Sequence, residues 1–229
     1  MKGKTVLEQQ LVWIKTVVFL CALIPLAKLG TGAFMDNLGA NPIEKITRTT
    51  GFWTLSFLML TLTVTPLRRL SGWSWPMRLR RMLGLFAFFY GSLHFLTYAV
   101  VDQFFDWDGI VKDIAKRPYI TVGFPSFLLM IPLAVTSTDA MLRRLGGKNW
   151  KRLHRLSYAT ALGGVVHYGW LVKKDLSNPI VFAVLLALLL GFRVLLRCAE
   201  RNGRQRAVPR AAVPDSLTPS DSGVRKTSG

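Results

Sequence analysis

The chain has 229 residues, 51% of them hydrophobic and only 18% charged, with a mean hydropathy of +0.33. That balance excludes an ordinary soluble domain and points to a chain that lives in a bilayer. Thirty Lys and Arg against twelve Asp and Glu leave a net charge of +18. The bases sit in short runs between apolar segments, so they speak for membrane topology and attraction to anionic headgroups, with no nucleic acid as partner. Cys21 and Cys198 are too few for a four-thiolate iron–sulfur or zinc site, and no Cys-x-x-Cys-His occurs, so any haem is held without thioether links.

A helix needs roughly 20 apolar residues to cross the hydrocarbon. Six stretches qualify, running approximately from Leu11 to Leu29, Gly51 to Leu67, Met82 to Val101, Tyr119 to Thr138, Leu153 to Val172 and Pro179 to Leu196. The first carries Lys15 and no clean small-x-small cleavage site follows it, so it reads as an anchor and not as a removed signal. The expected fold class is therefore all-α, a polytopic bundle of six transmembrane helices.

Orientation follows from the bases, because Lys and Arg in short loops stay on the cytoplasmic side. The loop after the second span carries Arg68, Arg69, Arg78, Arg80 and Arg81 with no acid. The loop after the fourth carries Arg143, Arg144, Lys148, Lys151, Arg152 and Arg155 against Asp139 alone. The loop after the third holds Asp102, Asp106, Asp108 and Asp113. Even-numbered loops are thus inside, and both termini with them. From about Cys198 the composition turns to Ala, Pro, Ser, Arg and Gly, too poor in large apolar residues to fold. The expected organisation is a cytoplasmic N-terminus over residues 1–9, a transmembrane bundle over 10–197, and a disordered basic cytoplasmic tail over 198–229. No internal repeat is evident that would support a solenoid or an inverted-repeat transporter.

All three histidines fall in or at the edge of these spans, His94 in the third and His154 and His167 in the fifth. Ionisable side chains at membrane depth are costly and usually line a functional interior, and neutral imidazole is a common haem-iron ligand. His94 and His167 both lie about 18 to 21 Å from the cytoplasmic start of their helices at roughly 1.5 Å rise per residue. Two imidazoles on different helices at one depth are what bis-histidine haem ligation requires. Phe88, Phe89, Tyr90 and Phe95 around His94 suit a large flat ligand. Gly163 and Gly164 before His167 would let a macrocycle approach the backbone, or would simply let helices pack.

His154 precedes His167 by about 20 Å along an ideal helix, some 140° away around it, so it cannot share the same iron. The position that would face it on the third helix is near Arg80, which is no haem ligand. His154 could ligate a second haem, but it reads better as a protonatable cytoplasmic-side group that, with Arg80 and Arg152 beside it, contacts a quinone, a flavin phosphate or haem propionates, or as an ordinary interfacial histidine.

Several motifs occur in a fixed order: Asn41-Pro42-Ile43-Glu44, Arg48-Thr49-Thr50-Gly51, Thr65-Pro66-Leu67-Arg68-Arg69, Arg80-Arg81-Met82-Leu83-Gly84-Leu85, His94-Phe95-Leu96-Thr97-Tyr98, Arg117-Pro118-Tyr119-Ile120-Thr121-Val122-Gly123 and Trp150-Lys151-Arg152-Leu153-His154-Arg155-Leu156. Over roughly residues 10 to 197 they resemble the ferric-reductase-like transmembrane family, in particular haem-binding membrane subunits of protein-methionine-sulfoxide reductase systems. The resemblance implies a haem b protein of the bacterial inner membrane. It implies FMN as a further cofactor, quinol as electron donor, and a heterodimer with the periplasmic molybdopterin reductase MsrP. It places functional histidines at His94, His154 and His167. The wider family often has two His on each of two helices, and the Arg80 region departs from that pattern.

No Gly-x-Gly-x-x-Gly follows a strand and no nucleotide-binding domain of adequate length is present, so electrons must arrive from a membrane quinol or a separate flavin reductase. The competing expectations are a transmembrane ferric or metal-ion reductase and, in another class, a non-redox transporter or structural membrane subunit. Pro25, Pro66 and Pro132 would suit the broken helices of a transporter, but no intramembrane carboxylate is present to couple to protons.

Overall fold

A computed structural model describes residues 6–172 and 175–207. Among them there are helices and connections only. Helix α1 spans Val6–Phe34, α2 Pro42–Ser71, α3 Arg80–Leu96, α4 Trp107–Lys116, α5 Pro118–Val135, α6 Asp139–Leu153, α7 Leu156–Leu171 and α8 Ser177–Ala207. A 3₁₀ turn, Trp75–Arg78, leads into α3, and a π-helical turn, Thr97–Asp102, continues it.

Five helical stretches are long and apolar enough to cross a membrane: Gln9–Phe34, Pro42–Ser71, Arg80–Asp102, Pro118–Val135 and Ser177–Glu200. The sixth expected crossing is α7, a helix of 16 residues whose mean composition is also apolar. The helices overrun the apolar windows because local chemistry sets their ends. The side chain of Asn41 accepts from the Glu44 N–H and donates back to the Glu44 carboxylate, Pro42 stands at the first turn, and Gly72 closes α2 in the left-handed region at φ 72°. The two loop helices that hydropathy does not detect are also capped, α4 by Asp106 accepting from Gly109 N–H and α6 by Thr138 accepting from Met141 N–H.

Helix α2 organises the bundle because it is apolar on two sides. Phe57, Leu58 and Val64 pack with Ala22 of α1 and with Leu83, Phe86, Ala87 and Tyr90 of α3. Leu55, Met59 and Leu62 pack with Ala161 and Val165 of α7 and with Phe182, Leu186 and Leu189 of α8. Helix α5 packs mainly on α7 and α3 and presents the rest of its surface outward, with only Ser126 and Met130 buried. The residues of α8 from Phe192 on form a compact unit of their own. The helix continues past the boundary expected at Cys198 to Ala207, so the first part of the expected tail is helical; residues 208–229, and 1–5 of the expected N-terminus, lie outside the described residues.

Tyr90 makes a polar tie between α1 and α3 in this core. Its ring is fully buried, stacked on Phe57 at 5.6 Å, and its hydroxyl donates to the carbonyl of Ala22 at 2.7 Å. Replacing Tyr90 by Phe keeps the ring and deletes that bond, which is expected to lower stability by about 1 kcal/mol. Thermal unfolding in detergent checks this, and an unchanged midpoint would show that the α1 contact contributes nothing.

Candidate functional site

His94 stands in the last turn of α3, just before the π-helical turn, a feature often found beside functional residues. His167 stands one turn before the end of α7. Their rings meet across the bundle with centroids 6.0 Å apart and planes at 83°. Each ring is tied at Nδ1 to a backbone carbonyl of a neighbouring helix, His94 to Thr47 of α2 at 2.9 Å and His167 to Tyr119 of α5 at 2.6 Å. A carbonyl can only accept, so Nδ1 carries the proton in both rings and Nε2 carries the lone pair. The early turns of α2 and α5 and the late turns of α3 and α7 therefore share one level, near the side expected to be periplasmic.

These carbonyls are reachable because of two glycines. Each side chain of an α-helix leans over the preceding turn and covers the carbonyl about four residues before it. The residue four positions after Thr47 is Gly51, and the one four after Tyr119 is Gly123. A Cβ on Gly51 would stand 3.0 Å from His94 Nδ1, and one on Gly123 would stand 2.5 Å from His167 Nδ1. Both glycines end motifs that carry the family resemblance, but nothing in the sequence ties either to a histidine; the signal available there is a glycine four residues after each acceptor, legible only once the partner is known.

The glycines that the sequence does single out have the other of their two expected roles. A Cβ on Gly163 would collide with Ser126 Oγ of α5, and one on Gly164 would press on Leu55 of α2. They let α7 pack against its neighbours. Flat apolar surface beside the pair comes instead from Phe95 on Phe127 at 5.0 Å, Phe127 on Phe88 at 6.1 Å, and Phe95 on Phe124 at 5.9 Å, a run between α3 and α5.

His154 lies in the turn between α6 and α7, away from this pair. Its ring stacks on Trp150 with centroids 3.8 Å apart, and its Nε2 is 3.2 Å from the Thr136 hydroxyl. That hydroxyl gives its own proton to the Pro132 carbonyl at 2.6 Å, so the imidazole is the donor and its Nε2 is not free to ligate. The Trp150 indole N–H donates to the Thr136 carbonyl at 2.8 Å and locks the same turn. Burial, with Arg80 and Arg81 adding repulsion, holds the His154 imidazolium down to a pKa of about 4. The ring is then neutral at physiological pH and acts as a hydrogen-bonding group. Arg80 lies near enough to His154 to act on its charge, whereas Arg152 is exposed. Arg81 pairs with Asp139 at 2.6 Å, which holds that carboxyl below its usual range.

The geometry defines a class before any comparison is made: a membrane bundle that presents two convergent imidazoles. Residues 50–165, half of the chain, match the family described as ferric reductase like transmembrane component. Relatives named protein-methionine-sulfoxide reductase heme-binding subunit MsrQ are similar over nearly the whole chain. The one from Azospira oryzae is 56% identical, covering 90% of this chain and 89% of its own. Those from Herminiimonas arsenicoxydans and Ralstonia nicotianae are 54% and 52% identical, covering 84% and 88% of this chain and 89% and 93% of their own. The chain belongs to the ferric-reductase-like transmembrane family and, within it, to the MsrQ proteins, and it is a multi-pass membrane protein.

The Gly163–Ser126 contact gives a direct test of the packing role. Gly163→Ala is expected to cost roughly 1–3 kcal/mol through overpacking. Adding Ser126→Gly is expected to recover most of that loss in a thermal melt, and a double variant no more stable than Gly163→Ala would contradict the contact.

Proposed function

We propose that the protein is a haem b membrane subunit that passes electrons to a periplasmic methionine-sulfoxide reductase of the MsrP kind, with His94 and His167 as the axial ligands. The observation that carries this is the facing pair of imidazoles, each with Nδ1 bound to a carbonyl and Nε2 left with its lone pair. The 6.0 Å between ring centroids brings the two imidazoles close enough that together they would hold one haem. No group of three or more His, Cys, Asp or Glu is arranged to hold a bare ion among the described residues. Two imidazoles are a sufficient protein ligand set for an ion whose other positions a macrocycle fills, which is the chemistry of haem. The names of the relatives agree, since each is called a heme-binding subunit.

When bound, haem supplies a one-electron centre at that level of the bilayer. The chain's own residues do the rest. The Thr47 and Tyr119 carbonyls fix the tautomer and orientation of the ligands and strengthen Nε2 as a donor. Phe88, Phe95, Phe124 and Phe127 line an apolar neighbourhood. On the opposite side of the membrane His154 and Arg80 form the electron-entry end, with Arg152 at its exposed edge, where hydrogen bonding to a quinol from the respiratory pool starts the transfer. FMN, which the resemblance implies, enters this reading as a further carrier on the same route. Residues 10–197 form the haem-binding part in the inner membrane of a bacterium, and 198–229 a cytoplasmic extension.

Replacing either His94 or His167 by Ala is expected to abolish the low-spin haem spectrum while the protein still inserts; full retention in both variants refutes the assignment. Direction depends on topology: a reporter fused after the C-terminus should read cytoplasmic and one inserted near Asp106 periplasmic. The reverse pattern would place the histidine pair at the cytoplasmic face and exclude a periplasmic acceptor.

A further inference from the structure

The two histidines are held by one local design used twice. On α2, Thr47 offers its carbonyl to His94 and Gly51, one turn on, leaves room for the ring; on α5, Tyr119 and Gly123 do the same for His167. Each histidine follows its acceptor by nearly the same distance in sequence, 47 and 48 residues. The correspondence extends one further turn. Three residues after each glycine stands a small hydroxyl residue, Thr54 or Ser126, against a glycine of the histidine's own helix, Gly91 in one case and Gly163 in the other. The α2–α3 and α5–α7 pairs thus hold their imidazoles through the same set of contacts.

We infer that Gly51 and Gly123 are positioning residues for the ligand histidines, and that by leaving the Thr47 and Tyr119 carbonyls uncovered they set the ring angle and the electron affinity of the metal site. The inference rests on the reading of His94 and His167 as haem ligands. Donation from Nδ1–H to a carbonyl pushes electron density toward Nε2, and a more basic ligand stabilises the ferric over the ferrous ion. A methyl group at either glycine meets an atom of the ring that makes this bond. The ring must turn or withdraw, the Nδ1 bond lengthens, and the 83° between the ring planes changes. The two positions are not equal, because 3.0 Å asks the ring to give by a few tenths of an ångström whereas 2.5 Å cannot be accommodated without displacement.

The test compares Gly51→Ala, Gly123→Ala and a control, Gly84→Ala, in the full-length holoprotein. Gly84 lies in α3, and a Cβ there would meet nothing within 4 Å, so the control reports what an added methyl does to a spanning helix when it touches no histidine. Redox titration and low-temperature electron paramagnetic resonance are the readouts, since a purely structural role moves neither. Gly51→Ala is expected to remain low-spin with a raised midpoint potential and an altered g-anisotropy. Gly123→Ala is expected to convert a large share of the haem to a high-spin form, and Gly84→Ala to match the wild type in both. If Gly123→Ala does not accumulate, Gly51→Ala alone decides, because its smaller encroachment leaves the fold intact. A wild-type potential and signal in Gly51→Ala overturns the inference, as does an equal shift in Gly84→Ala. His94→Ala measured alongside separates the two levels: if it too leaves the spectrum unchanged, the ligation reading fails, and if it alone changes it, only the role of the glycines fails.

Discussion

The site depends on two hydrogen bonds, each from an imidazole Nδ1–H to a helix carbonyl that already serves its own helix. A main-chain carbonyl has two lone pairs, and an ordinary helix uses one. The second is normally covered by the side chain one turn later. Glycine at positions 51 and 123 leaves it open, and a histidine from the adjacent helix takes it. In a bilayer, where no water offers a substitute, an imidazole N–H without a partner would be costly. The same bonds that satisfy the rings therefore also aim them, so that on the proposed ligation satisfying a buried donor and preparing a metal ligand are one event.

The rest of the bundle supports that arrangement at a distance. Helix α2 is held on one side by the Tyr90 tie and the aromatic stack of Phe57 and Phe86, and on the other by Ala161, Val165 and Phe182. Small residues at Gly91, Gly163 and Ala161 bring the histidine helices close to α2 and α5, which is how helices associate where apolar surface alone gives no preference for protein over lipid. Close approach is needed because the Nδ1 bonds, at 2.9 and 2.6 Å, tolerate little slack. The separate Trp150–His154–Thr136 cluster fixes the turn from which α7 departs, and so the level at which His167 arrives eleven residues into that helix.

Much of this is legible in the sequence, and what is not has a common cause. The apolar spans and the matched depth of His94 and His167 rest on signals carried by neighbouring residues, whereas the start of α2 at Pro42, nine residues before the expected Gly51, shows only once Asn41 is seen capping it. Hydropathy does not show α4 or α6, because Asp106 and Thr138 cap helices too polar to register as spans. Gly163 and Gly164 stand out because they are adjacent to each other and close to His167. Gly51 and Gly123, which touch the rings, do not, because their importance lies in a side chain 43 or 44 positions further on. The matching contacts of the two helix pairs escape for the same reason, since they rest on a handful of positions, Thr47 against Tyr119 and Thr54 against Ser126, that are not identical.

The central claim is that one iron is bound through Nε2 of both His94 and His167. The most direct measurement is pulsed electron paramagnetic resonance on the oxidised, purified protein labelled with ¹⁵N-histidine, which counts the imidazole nitrogens coupled to a ferric centre. Two strongly coupled axial imidazole nitrogens on a low-spin ion, with strong g-anisotropy from nearly perpendicular rings, are the result expected. A centre coupled to one imidazole or none, in protein that binds its full complement of haem, would contradict it.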